Sequence, residues 1–187
     1  GERPMTFSAS GLPKSLQLDA QTGIIKGTTP PRGEYNITFR ANNSHGRDRR
    51  SFKLVSGDTL ALTPPMGWNA WYVHYLRITD KLMREAADNM IRSGMADVGY
   101  QYVNIDACWP VDPAQTNNPA IQGPPRDASG NIIPNRHFPD MKGMTDYIHS
   151  QGLKAGVYSS PGPLDCTGGA GSWQHEKQDA QAYAEWG

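Results

Sequence analysis

The chain has 187 residues, with 18 Lys and Arg balanced by 18 Asp and Glu and a hydrophobic content of 37%. That length holds one medium domain, or one small domain and a piece of another. Zero net charge without dense basic segments excludes a chain built mainly to hold nucleic-acid phosphates. No run reaches the roughly 18–20 apolar residues of a membrane span.

The first residues, "GERPMTF", read as a cut end, so a leader is expected upstream. Residues 1–57 then predict β structure. "TFSAS", "LQLD", "GIIKG", "EYNITFRA" and "RSFKLVS" are short alternating or β-branched runs. Turn chemistry separates them at Gly11-Leu12-Pro13, Gln21-Thr22-Gly23, Pro30-Pro31-Arg32-Gly33 and Asn42-Asn43. In "EYNITFRA", Tyr35, Ile37 and Phe39 alternate with Asn36, Thr38 and Arg40, the pattern of a half-buried strand. Strands about ten residues apart predict a small sandwich. The run Arg47 to Arg50, "RDRR", reads as a solvated hairpin tip. Two glycosylation triplets begin at Asn36 and Asn42.

After Asp58 the pattern changes. "MGWN", residues 66–69, is a candidate first strand. Thr79 is placed to cap a helix whose stripe is Leu82, Met83, Ala86, Ala87, Met90 and Ile91, with Gly94 as its stop. The strand "YQYVNI" follows. A second helix near Met141 to Ser150 presents Met141, Met144 and Ile148, ends at Gly152 and leads into the strand "LKAGVY". A third helix is predicted from about Trp173 to Trp186. Strands alternating with amphipathic helices give a parallel α/β sheet. A closed (β/α)8 barrel takes about 250 residues. Residues 58–187 are therefore an open sheet or the first three βα units of a TIM barrel.

The distinctive side chains fall just after these strands: Trp68 and Trp71, then Asp106 and Trp109, then Tyr158. In parallel α/β folds the carboxyl ends of strands form the working face. A carboxylate there accepts bonds from ligand hydroxyls, and an indole offers a flat apolar face. Together they suit a pyranose. Each has a plainer reading: Trp68 and Trp71 as core, Asp106 as a turn cap, Trp109 as a loop anchor. The five histidines show no HxH or HExxH spacing, so no metal site is predicted. "GGAG", residues 168–171, lacks a phosphate-binding fingerprint and reads as a flexible loop. Cys108 and Cys166 are free to pair together, stay reduced, or pair elsewhere.

"GLPKSLQLDAQTGIIKGTTPPRGEYNITFRANN" resembles the Ig-like, cadherin-like modules that precede many bacterial secreted enzymes. "LTPPMGWNAW", "GYQYVNIDACW", "RDASGNIIPNRHFPDMKGMTDYIHSQGLKAGVYSSPG" and "QDAQAYAEWG", in that order, resemble glycoside hydrolase family 27, the α-galactosidases and α-N-acetylgalactosaminidases. This resemblance implies a secreted or periplasmic retaining exo-glycosidase on a (β/α)8 barrel. It needs no cofactor, and its two catalytic carboxyl groups lie about 5–5.5 Å apart. Both belong to motifs expected beyond Gly187. Within the chain, Trp71 matches the tryptophan that packs on the sugar, Asp106 the first of two adjacent pocket aspartates, and Tyr158 the tyrosine after the third strand. Trp109 joins them as a substrate-binding candidate. Cys166 matches a cysteine that pairs with one just after the nucleophile.

Two departures stand out. The family's second aspartate is Ala107, which makes a sugar lacking the galactose O6, such as a β-L-arabinopyranoside, an alternative substrate. The usual partner of Cys108 is missing from "YVHYLRI", so that thiol is expected to be free. A non-catalytic carbohydrate-binding or adhesive unit is the second reading of the whole chain.

Overall fold

The computed structural model describes residues 4–58 and 64–187. The chain divides into two compact units, Gly1–Thr63 and Pro64–Gly187.

The first unit is all β. Strands β1 (Thr6–Ser10), β4 (Gly33–Asn43) and β5 (Gly46–Ser56) form an antiparallel sheet in the order β1-β4-β5, and β2 (Leu16–Leu18) pairs with β3 (Ile25–Gly27). Alternation sorts the larger sheet as the sequence predicts. Ile37 is 1% exposed and Phe39 stacks on Phe52 with centroids 5.1 Å apart, while Ser8, Asn36 and Arg40 face water. One reading changes. "RDRR" is not the hairpin tip, because the β4–β5 ladder continues to Asn43 opposite Gly46 and absorbs all four residues into β5.

The second unit carries a parallel sheet, β6-β7-β8, built from β6 (Gly67–Asn69), β7 (Tyr102–Ile105) and β8 (Lys154–Val157). Its helices are α1 (Trp71–His74), α2 (Asp80–Arg92), α3 (Met141–Ser150) and α4 (Glu176–Trp186). The Thr79 hydroxyl accepts the Leu82 N–H at 3.2 Å and caps α2, and Asp140 caps α3 through Gly143 N–H at 2.8 Å. Beyond α2, Gly94 takes the left-handed conformation (φ 77°), which a residue without Cβ adopts without strain. The stripes of α2 and α3 pack on the outward face of β7. Met83, Ala87, Val103, Ile105, Met144 and Ile148 form a continuous core, each largely removed from water. Burial at about 25 cal/mol per Å² makes each large side chain there worth about 1.5–3 kcal/mol. Ile91, expected on the stripe, is 42% exposed, since it sits at the edge of the apolar face near the helix end. Strands and α4 are shorter than predicted: β7 begins at Tyr102, after a 3-10 turn at Met95–Val98, and α4 begins at Glu176.

Two long connections cover the carboxyl end of this sheet. The segment between β7 and α3 is tied to the segment after β8 by a buried ion pair. Arg126 donates from both terminal nitrogens to the two oxygens of Asp179 on α4, each at 2.7 Å, and also to the carbonyls of Gly130 and Gly171. Asp179 is 1% exposed. Burial alone would raise its carboxyl, but the Arg126 fork and the Ser172 hydroxyl outweigh burial and hold it below the ordinary carboxylate range. The stretch read as a flexible loop, "GGAG", is instead a bonded turn. Asp165 accepts the N–H groups of Thr167 and Gly169, and Leu164 bridges Ala170.

Asp179→Asn leaves the Arg126 charge buried without its counterion, an expected loss of about 3–5 kcal/mol measured by urea unfolding of the chain. The sign with pH follows from the lowered carboxyl. Its stabilisation is present above the unfolded value of about 3.9 and is lost as pH falls through the folded value. Wild type therefore loses melting temperature faster than Asp179→Asn below about pH 4. Parallel melting curves over that range would contradict this.

Candidate functional site

The parallel register decides what meets at the rim. Asn69 lies opposite Asn104, and Asn104 opposite Gly156. A Cβ on Gly156 would come 2.1 Å from the Asn104 amide oxygen, so glycine gives the Asn104 side chain its room. Two residues further along each chain stand Trp71, Asp106 and Tyr158. The ladder carries their segments together: Ala70 N–H donates to Asn104 O at 3.2 Å, and Tyr158 N–H to Ile105 O at 3.0 Å.

Asn69 links two of the three. Its amide donates to Asp106 Oδ2 at 2.9 Å, and its amide oxygen accepts the Trp71 N–H at 2.9 Å. The other Asp106 oxygen accepts the Ala107 N–H at 2.8 Å. Asp106 thus caps its own turn and is also held at the rim, half-buried, with lone pairs left for a ligand. Tyr158 is close enough to feel the Asp106 charge. Its hydroxyl donates to Cys166 Sγ at 3.8 Å. That thiol first, then burial and the carboxylates of Asp165 and Asp106, raises the phenol above its ordinary range. The Trp71 ring meets Tyr75 edge-on with centroids 5.0 Å apart.

Trp109 does not join them as a sugar platform. It is 1% exposed, its ring N–H donates to Tyr158 O at 2.8 Å, and its edges meet Tyr183 and Trp186 with centroids 6.0 and 5.6 Å away. Neither indole face is open, so this residue anchors the loop and fixes the backbone of Tyr158. Trp68 points to the helix side beside Val103, as a core residue does.

Two site-shaping residues were not singled out from sequence. Asn69 lies inside the quoted "MGWN", but an amide in a strand has no signature until its partner is known. Asn135, 2% exposed, donates to Cys108 O at 2.7 Å and Pro110 O at 3.2 Å. It holds Cys108 in the left-handed region (φ 75°), a strained state for a residue with a Cβ. That reversal drops Trp109 into the core. Ala107 is 1% exposed. A small apolar cavity of about 40 Å³ lined by Val103, Ile105, Met144 and Trp186 lies on the other face of the sheet. Among the described residues, no three His, Cys, Asp or Glu groups are placed to hold a metal ion, and no helix is long and apolar enough to cross a membrane.

A family model described as Alpha galactosidase A matches residues 63–187, and one for an Ig domain matches residues 1–57. The α-galactosidase of Oryza sativa subsp. japonica is 40% identical over 155 residues, 81% of this chain and 34% of that protein. Alpha-galactosidase A of Cellvibrio japonicus is 43% identical over 132 residues, 70% of this chain and 30% of that protein. A Bacteroides fragilis crystal structure assigned to the alpha-galactosidases/melibiases matches with a TM-score of 0.77 at 40% identity, covering 100% of this chain and 38% of that one. Alpha-galactosidase I of Mortierella vinacea matches with a TM-score of 0.59 at 38% identity, covering 68% of this chain and 30% of that one. Fold and relatives together place the chain among the glycoside hydrolase families. The chain belongs to the α-galactosidase family, glycoside hydrolase family 27. It spans about a third of the length of these curated relatives.

Both cysteines are free thiols, Cys108 buried and Cys166 exposed, and burial pushes Cys108 up to about 11. Iodoacetamide at pH 8 is expected to place one adduct on the folded chain, at Cys166, with Cys108 labelled only after denaturation. Equal labelling of both in the folded state, read by peptide mass spectrometry, would refute this placement.

Proposed function

We propose that the full-length protein containing this chain is a retaining exo-glycosidase that removes terminal α-D-galactosyl residues from oligo- or polysaccharides outside the cytoplasm. The observation that carries the reading is the meeting of Trp71, Asp106 and Tyr158 at one carboxyl rim, with Asn69 bonded to Asp106 and to the Trp71 backbone. Residues 58–187 are on this reading the first part of the barrel, and 1–57 an accessory Ig-like module.

In this reading the chain binds and orients the sugar. Asp106 accepts one or two hydroxyl protons, the Trp71 face covers the apolar C–H surface, and Tyr158 donates or accepts at the pocket edge. Attack on the anomeric carbon and protonation of the leaving oxygen fall to two carboxyl groups on later strands. The first test is turnover of nitrophenyl α-galactoside. The 187-residue chain alone is expected to show none. In the full-length protein, Asp106→Asn is expected to lower kcat/KM by about tenfold to a few hundredfold, the worth of one charge-assisted hydrogen bond. Unchanged kinetics in that variant would remove the residue from the site. Full-length protein that binds galactosides without turnover would instead favour a carbohydrate-binding unit.

Ala107 favours a second specificity. A methyl stands where the family carries a carboxylate, so a group at the O4/O6 side loses a charge-assisted partner worth about 1.5–3 kcal/mol. A β-L-arabinopyranoside, which lacks O6, loses less by this change than a galactoside does. Ala107→Asp in the full-length protein is expected to shift kcat/KM toward galactose by about tenfold or more. Because Ala107 is buried, a melting curve must accompany the assay. A folded variant with an unaltered galactose-to-arabinose ratio would overturn this account of the position.

A further inference from the structure

The outer face of the β1-β4-β5 sheet concentrates positive charge. Arg40 on β4 lies directly opposite Arg49 on β5, and Arg47 lies two residues along the same strand, opposite Asn42. Strand alternation puts all three on the face opposite Ile37 and Phe39, and all three are exposed. Side chains directly opposite across an antiparallel pair have Cβ atoms about 4.5–5.5 Å apart, and like charges so placed destabilise the sheet. Neighbouring ion pairs do not relieve the contact. Lys53 pairs with Glu34 and Arg32 with Asp58, but among the described residues Arg40, Arg47 and Arg49 make no salt bridge. Among the described residues, Arg40 donates to the Ser10 hydroxyl at 3.2 Å. Asp48, next in sequence, is turned to the opposite face by the same alternation and bonds the Arg49 backbone N–H.

The charge is also unevenly shared between the units. Gly1–Thr63 carries nine Lys and Arg against five Asp and Glu, while Pro64–Gly187 carries nine against thirteen, so a neutral chain consists of a basic module and an acidic one. Destabilising repulsion left unrelieved on a small basic module is the mark of a surface whose counter-charge comes from outside.

We propose that this face binds an anionic polysaccharide bearing carboxylate groups, and that the Ig-like module thereby holds the protein on its substrate matrix. Three guanidinium forks supply planar, two-point partners for carboxylates. Beside them, one same-face step along the ladder, the sheet offers hydroxyls, Thr38 and Ser51 bonded to each other at 2.7 Å and Ser10 bonded to Arg40, which are groups that sugar hydroxyls replace or extend. The same face carries no aromatic side chain on which nucleobases would stack, which favours a glycan over single-stranded nucleic acid. The proposal concerns the first unit only and does not depend on which sugar the second unit takes.

The test is affinity electrophoresis of the whole 187-residue chain in native gels cast with polygalacturonate, with neutral galactomannan or with duplex DNA. Retardation by polygalacturonate that weakens with added NaCl is expected. The triple change Arg40→Gln, Arg47→Gln, Arg49→Gln is expected to weaken it about tenfold, the combined worth of three exposed charge contacts. Lys14→Gln with Lys26→Gln, two exposed charges outside this face, is expected to leave it nearly unchanged. Circular dichroism and thermal melting check the fold of each variant. Should the triple variant not fold, single Arg49→Gln, expected to weaken retardation about twofold, takes its place. No retardation, equal retardation by galactomannan, stronger retardation by DNA, or equal loss in the lysine variant would each overturn the proposal.

Discussion

The structure of the second unit depends on the parallel register of three short strands. Once Asn69, Asn104 and Gly156 are aligned by backbone hydrogen bonds, the residues that follow must emerge side by side at one end of the sheet. A shift of one residue in β7 would send Asn104 and Asp106 to the helix side and Val103 and Ile105 to the rim. The core forbids that slip, because Val103 and Ile105 are the apolar contacts for Met83, Met144 and Ile148. Packing on one face of the sheet therefore fixes the chemistry available at its end.

Backbone register brings the rim residues near each other, and polar contacts set their orientation. Asn69 and the Ala107 N–H hold the Asp106 carboxylate. The Trp109 indole holds the carbonyl of Tyr158, and Asn135 stabilises the strained turn that delivers Trp109 to the core. The Arg126–Asp179 pair closes the outer layer by joining both long connections to α4. A buried ion pair is a costly way to add stability compared with apolar packing, but its directional bonds specify one arrangement of irregular chain. In loops that must present a rim with fixed geometry, specificity of arrangement is the more useful property.

The two units use charge differently. In the second, the most deeply buried carboxylate among the described residues, Asp179, meets a fork of matching geometry and the aspartate at the rim is held by neutral amides. In the first, exposed arginines repeat along one strand and across to its neighbour with hydroxyls beside them. Compact enclosed pairs build structure, whereas open like-charge arrays leave their electrostatic potential directed at solvent and whatever it contains.

The alternation of strands and helices, the cap at Thr79, the stripes of α2 and α3 and the rim positions of Trp71, Asp106 and Tyr158 were all legible in the sequence. They are local: a period of 2.0 or 3.6, a capping side chain three residues from its N–H, and the end of an apolar run are written within a few residues of one another. Other features had no such mark. Whether Trp109 faces a ligand or the core was decided by Tyr183 and Trp186, more than seventy residues away. The Asn69 bond to Asp106, the Arg126 bond to Asp179 and the inclusion of "RDRR" in a strand were decided by partners on other segments. A single sequence states which groups a residue carries and how its neighbours repeat, but burial and pairing are set by distant segments that only the folded chain brings into contact.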